Sequence, residues 1–118
     1  ASTLGLTVAL EKLGTGNRAK LRIALDAHDV SFQNEKAGVK AVTLDFLVVQ
    51  LAPDGTVQSN VLRTVHMGVA EKGFEQALKN GLALASSLDV EQGAAELRLV
   101  VRDAASGNLG SVSVPLGP

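Results

Sequence analysis

Cysteine, tyrosine and tryptophan are missing from this chain of 118 residues. The first absence excludes a disulfide framework and thiol catalysis, although it says little about compartment, since disulfide-free domains occur inside and outside cells. The other two remove the aromatic platforms on which sugars stack. Only Phe32, Phe46 and Phe74 are aromatic, so any core must be mostly aliphatic. Charge of either sign is not in excess, with 11 basic and 12 acidic residues. Nucleic-acid binders carry a clear basic surplus and stacking aromatics, and this chain has neither. No uninterrupted apolar run approaches the ~20 residues that cross a bilayer. The amino terminus lacks the charged start and continuous apolar stretch of a signal peptide. An exported form of this chain is therefore expected to be a mature or excised piece.

What is present is the period of β-structure. In the last quarter, Leu97, Leu99 and Val101 alternate with Glu96, Arg98 and Arg102, as in a strand with one face buried. Turn formers fill Asp103 to Gly110, and Val112 and Val114 restart the alternation, which spells a β-hairpin. The length suits one domain spanning residues 1–118. Such a chain buries roughly two-thirds of its unfolded surface, enough for one core without staples.

The remaining segments extend the same reading. Leu4, Leu6, Val8 and Leu10 predict a first strand, weakened by Gly5, and Glu11 to Asn17 a loop. Leu21, Ile23 and Leu25 predict a second strand, continued through His28 to Phe32 after an irregularity at Asp26 to Asp29. Asn34 to Gly38 reads as a turn. Val42 to Leu51 is a long apolar strand whose parity changes near Val49, the mark of a bulge or of burial on both faces. Ala52-Pro53-Asp54-Gly55 is a turn, signalled by proline followed by Asp-Gly, with Asp54 and Gly55 as its structural residues. Thr56 to Gly68 is expected to return as the hairpin partner, bent midway. Between Glu71 and Asn80 the period becomes helical: Phe74, Ala77 and Leu78 share a face, Glu71 and Lys79 suit the two ends, and Gly81 terminates the turn. This helix is expected to pack across an opening of the fold. Leu82, Leu84, Leu88 and Val90 give one more strand. The sum is an all-β, immunoglobulin-like antiparallel sandwich of about seven strands with one short helix.

Chemistry is less legible. Gly14-Thr15-Gly16-Asn17-Arg18-Ala19 fits a dinucleotide GxGxxA string, but the segment that follows alternates like a strand where the motif needs a helix. Asp26, His28 and Asp29 suggest ligands, with Asp26 and His28 on one strand face. Zinc needs three or four groups, and His66 is the only other histidine. Backbone bonding in a loop is the expectation. Asp103, Ser106 and Asn108 lack the spacing of a calcium loop. The better role for Asp103 is to accept from turn amides, with Gly107 at positive φ. No Gly-x-Ser-x-Gly elbow occurs, and Glu71 and Glu75 read as a solvated helix face. Arg98 and Arg102 share a strand face, as do Lys20 and Arg22 on another, a modest candidate patch for an anionic ligand. No catalytic, cofactor or metal residue is assigned.

The ending LRLVVRDAASGNLGSVSVPL resembles the carboxy-terminal region of the VWFA-related proteins of Acidobacteria. Those chains close on an apolar strand, Arg-Asp-Ala, a Ser/Thr-Gly turn, Gly-Ser, a Val-x-Val strand and proline. AHDVSF (Ala27 to Phe32), LDFLVVQLAPDGTV (Leu44 to Val57) and FEQALKNGL (Phe74 to Leu82) are similar to segments of the same region. The likeness runs from about Leu21 to Leu116 and is weakest over the first twenty residues. It implies an exported or cell-envelope protein with a von Willebrand type A domain ahead of this region. The Asp-x-Ser-x-Ser metal motif of that domain is absent here, so no metal residue carries over.

The expected function is a non-enzymatic structural or protein-interaction module. Its partner would be the adjacent domain of the same polypeptide or another protein, or a second copy joined through an edge strand. The alternative is an accessory domain that binds an extracellular polymer or carbohydrate. There the helix and nearby loops would wall a groove, and Arg98 and Arg102 would grip acidic groups.

Overall fold

A computed structural model describes residues 3–14 and 16–116, so Thr15 of the glycine string lies outside it. Among the described residues, eight strands and one α-helix follow in chain order: β1 (Leu6–Lys12), β2 (Arg18–Leu25), β3 (Gln33–Asn34), β4 (Lys40–Leu51), β5 (Val57–Val69), α1 (Glu71–Asn80), β6 (Leu82–Asp89), β7 (Glu96–Asp103) and β8 (Leu109–Pro115). They form two antiparallel sheets. One is β1-β2-β6. In the other, β4 gives one edge to β5 and the opposite edge to β3 and then β7, which pairs onward with β8. The chain is thus an all-β, immunoglobulin-like sandwich with one short helix, and among the described residues β3, two residues long, is the only strand beyond the seven expected.

The alternation read from the sequence is the alternation of burial. Leu21, Ile23 and Leu25 of β2 face Leu44 and Phe46 of β4 and Leu97, Leu99 and Val101 of β7 across a shared aliphatic core. All three β7 residues are fully buried. Several boundaries differ from expectation. β1 runs on to Lys12, because Glu11 and Lys12 pair with Lys20 and Ala19 instead of opening a loop. The second strand does not continue to Phe32. It ends at Leu25, where Asp26 caps a single 3-10 turn at Ala27–Asp29 by accepting from the His28 amide, and the chain crosses to the other sheet as β3. The parity change in β4 is a bulge: Gln50 pairs with Ser59, Leu51 with Val57, and Gln58 is left over. No register break interrupts β5 midway; its ladder with β4 is regular from the Lys40–Val69 pair to the Gln50–Ser59 pair.

Helix α1 links the sheets and closes one end of the sandwich. Ala77 and Leu78 enter the core, and Phe74 meets Phe32 edge to face at 4.9 Å between ring centroids. Its last turn ends on Gly81, at φ +89°, whose amide donates to the Ala77 carbonyl at 2.8 Å. A side chain there would also press on the Leu25 carbonyl, so two independent constraints select glycine.

Candidate functional site

The two flanks of the sandwich are built differently. At the β1/β8 flank the layers are sewn together: Thr3 bridges Leu109, and the Leu4 amide donates to the Leu109 carbonyl at 2.8 Å. Leu4 is buried there, close over Gly110, where a Cβ would come within 2.2 Å of the Leu4 carbonyl oxygen. At the β5/β6 flank no backbone pairing joins the sheets among the described residues. Four long strands, β5-β4-β7-β8, face only three, and the position opposite β5 and beside β6 is vacant.

That vacancy is a cleft of about 510 Å³. Its floor is the inner face of the larger sheet, through Phe46, Val48 and Gln50 of β4 and Ser59, Val61, Arg63 and Val65 of β5. These residues alternate, as a face must. β6 contributes otherwise: all six consecutive residues 84–89 line the cleft. A strand presents consecutive residues only along its hydrogen-bonding edge, so the free edge of β6 forms the wall.

Polar groups sit at the rim. Arg18 pairs with Asp89 at 3.3 Å, both side chains more than half exposed. Arg63 is exposed on the cleft-facing side of β5 and has no carboxylate within salt-bridge reach among the described residues. One end is shut by Gln50, a buried polar residue that sequence patterning passed over. Its Nε2 donates to the Asp89 carbonyl at 2.9 Å, and its Oε1 accepts from the Glu91 amide at 2.8 Å. A polar residue in phase with Leu44, Phe46 and Val48 was the available signal.

The sequence-derived candidates lie elsewhere. Arg98 and Arg102 project from the outer face of β7, away from the cleft, and neither they nor α1 line it. Arg98 donates to Glu96 at 2.9 Å and Arg102 to Asp45 at 3.1 Å, while Asp45 also accepts from Thr64. These bonds across and along the strands engage the two cations locally. Arg22 is likewise paired with Glu11 across β1 and β2 at 3.4 Å.

Asp26 and His28 do meet, with Nδ1 2.9 Å from Oδ1, in an exposed turn. The two bonds from His28, backbone first and ring second, hold the Asp26 carboxyl below the usual range. Asp29 accepts from the Gly5 amide at 2.9 Å, and His66 lies apart, at Thr43 (2.8 Å) and Glu35 (3.5 Å). Among the described residues no group of three or more such side chains could hold a metal ion.

The turn residues have structural partners. Asp54 accepts from Thr56, whose hydroxyl and then amide lower its carboxyl, and Gly55 takes φ +89°. Gly107 takes φ +80°. Asp103 differs from expectation: its fully buried side chain accepts from the distant Ser31 amide at 2.7 Å and the Ser106 hydroxyl at 2.6 Å, not from amides of its own turn. The turn is closed instead by the Asp103 carbonyl, which accepts from Gly107, while Asn108 donates to the Asp29 carbonyl.

No family model and no curated protein matches the chain. Among solved structures, hypothetical protein PH1083 of Pyrococcus horikoshii OT3 is similar with a TM-score of 0.51 and 10% identity, over 95% of this chain and 87% of that one. A calcium-binding mutant of Bacteroides uniformis β-glucuronidase 2 is similar at 0.49 and 12% identity, over 94% of this chain but only 13% of the enzyme. An oxidised superoxide reductase is similar at 0.47 and 9% identity, over 99% and 90% of the two chains. The first likeness speaks to the fold alone, and the two lower scores carry no argument.

Proposed function

We propose that this domain is a non-enzymatic protein-interaction module, and that it engages its partner through the open β5/β6 flank. One observation carries the reading: one flank of the sandwich is closed by backbone bonds, while the other keeps an apolar floor and an unpaired strand edge facing solvent. Unpaired edges are rarely left without a device that blocks pairing. The surface charges favour the same reading, because Arg18, Arg22, Arg98 and Arg102 are each engaged by a carboxylate and both histidines are hydrogen-bonded locally. The resemblance of the carboxy-terminal strings supports a setting in an exported or cell-envelope protein, where the partner is the adjacent domain or another protein.

Light scattering on the chain alone, and mixed with the domains that flank it in the full-length gene product, tests this. A defined complex supports the module. A chain that stays monomeric in every mixture, yet is retarded in a polysaccharide gel, overturns it in favour of a polymer-binding accessory domain.

A further inference from the structure

Resting on that reading, we infer that the cleft takes one extended peptide strand, which adds to the edge of β6 and presents apolar, acidic and apolar side chains at alternate positions. Three features of the cleft define this occupant. The first is its wall. Residues 84–88 of β6 offer an unpaired backbone edge, and their side chains are small or turned inward: Leu84 and Leu88 reach the core, while Ala85, Ser86 and Ser87 are exposed. No lysine, proline or bulge protects this edge, although such devices are the usual protection. The edge of β5 has two of them, the bulge at Gln58 and the inward-facing Arg63. Strand pairing is therefore directed to β6, as in recognition by β-augmentation.

The second feature is the floor. A strand placed beside β6 lies opposite β5 and completes four strands over four. Every second side chain then points at Val61, Arg63 and Val65, which follow one another along the inner face of β5. Val61, 42% exposed despite facing inward, would be covered. Arg63 has no carboxylate partner among the described residues, so the matching position in the guest is acidic and the positions two before and two after it are apolar. The third feature is length. The Gln50 bonds to residues 89 and 91 close one end, and the free edge before them is residues 84–88, which matches a guest of about five residues at ~3.3 Å each.

The test is an NMR titration of the 15N-labelled chain with capped peptides of nine residues. One carries Val-Thr-Glu-Thr-Val at its centre, a second carries the same residues scrambled so that the valines fall out of phase, and two more are N-methylated along one edge or the other. The inference expects shifts confined to the amides of residues 84–88 and the β5 floor. It expects at least tenfold weaker binding for the scrambled peptide, and loss of binding for only one of the two methylated edges. Arg63→Glu, at an exposed position, should weaken the acidic peptide about tenfold and restore binding when the central glutamate is replaced by lysine. Equal binding of both methylated forms, no preference for the phased peptide, or shifts elsewhere overturns it. So does self-association of the chain through the same amides, which would make the occupant a second copy. Complex formation with a flanking domain that survives Arg63→Glu and leaves residues 84–88 unshifted would sink this inference while leaving the interaction module standing.

Discussion

Replacing Gln50 with methionine keeps the length of the side chain and removes both bonds that shut one end of the cleft. Each such bond contributes about 1 kcal/mol net, so their joint loss amounts to about 2 kcal/mol. Asp89 and Glu91 are exposed residues and their bonds to Gln50 are only part-buried, so the full penalty of an orphaned, fully buried group does not apply. The more apolar methionine side chain, buried at this position, offsets part of the loss. The expected cost is about 1–2 kcal/mol, which for a domain of this size lowers Tm by roughly 4–8 °C.

Urea denaturation with an unchanged slope measures the stability, and hydrogen exchange at the Glu91 amide reports the local opening. Gln50→Glu sharpens the test. The carboxylate would face the Asp89 carbonyl in a buried position, which raises its folded-state pKa above the unfolded value. The neutral acid is then the better-tolerated form, so this variant gains stability relative to wild type as pH falls and loses it as pH rises through the folded pKa. A Gln50→Met protein within 0.5 kcal/mol of wild type, with Glu91 exchanging at its original rate, would refute the staple.

Three further perturbations probe other parts of the fold. Leu99→Ala should cost about 2–5 kcal/mol as a large-to-small change at a fully buried site, whereas Arg98→Ala, on the outer face of the same strand, should stay within about 0.5 kcal/mol; the reverse order in chemical denaturation would invert the face assignment. Gly110→Ala would drive a Cβ into the Leu4 carbonyl, costing about 1–3 kcal/mol by overpacking and releasing the Thr3–Leu4 segment, which fast exchange of the Leu4 amide would report. The depressed Asp26 and Asp54 carboxyls contribute stability that is present above the ordinary aspartate pKa and lost as pH falls through their lower folded values. Thr56→Val should move the Asp54 titration, followed by carbon NMR, back toward the ordinary value; an unmoved titration would mean that the Thr56 hydroxyl is not what lowers it.

The parts of this structure legible in the sequence are those governed by local period and turn chemistry. Leu97, Leu99 and Val101 announce their face because a strand buries every second residue. Gly55, Gly81 and Gly107 announce turns because few other residues accept positive φ. The errors fall where a distant partner decides the outcome. Asp103 reads as a turn acceptor from its neighbours, yet Ser31, 72 residues away, supplies the amide it receives. His28 to Phe32 reads as strand continuation because its apolar spacing is right, but the bond between Asp26 and the His28 amide turns the chain into the other sheet.

The cleft belongs to this second class. Periodicity tells which side chains share a face: Arg98 alternates with Leu97 and Leu99, whereas Arg63 falls in phase with Val61 and Val65, and period alone does not say whether that face meets a core. What separates them is phase relative to the core together with strand order. Arg98 points outward next to Glu96, whereas Arg63 points inward from a strand that has nothing opposite it. Strand order follows from which edges pair, and that depends on crossings such as Leu25 to Gln33 and Val69 to Leu82, not on any local pattern. A charge facing inward on an edge strand is therefore a feature that single-sequence reading assigns to solvent and that the topology assigns to a vacancy. The charge-swapped peptide pair distinguishes the two assignments, because a solvated Arg63 would be indifferent to the sign of the residue laid against it.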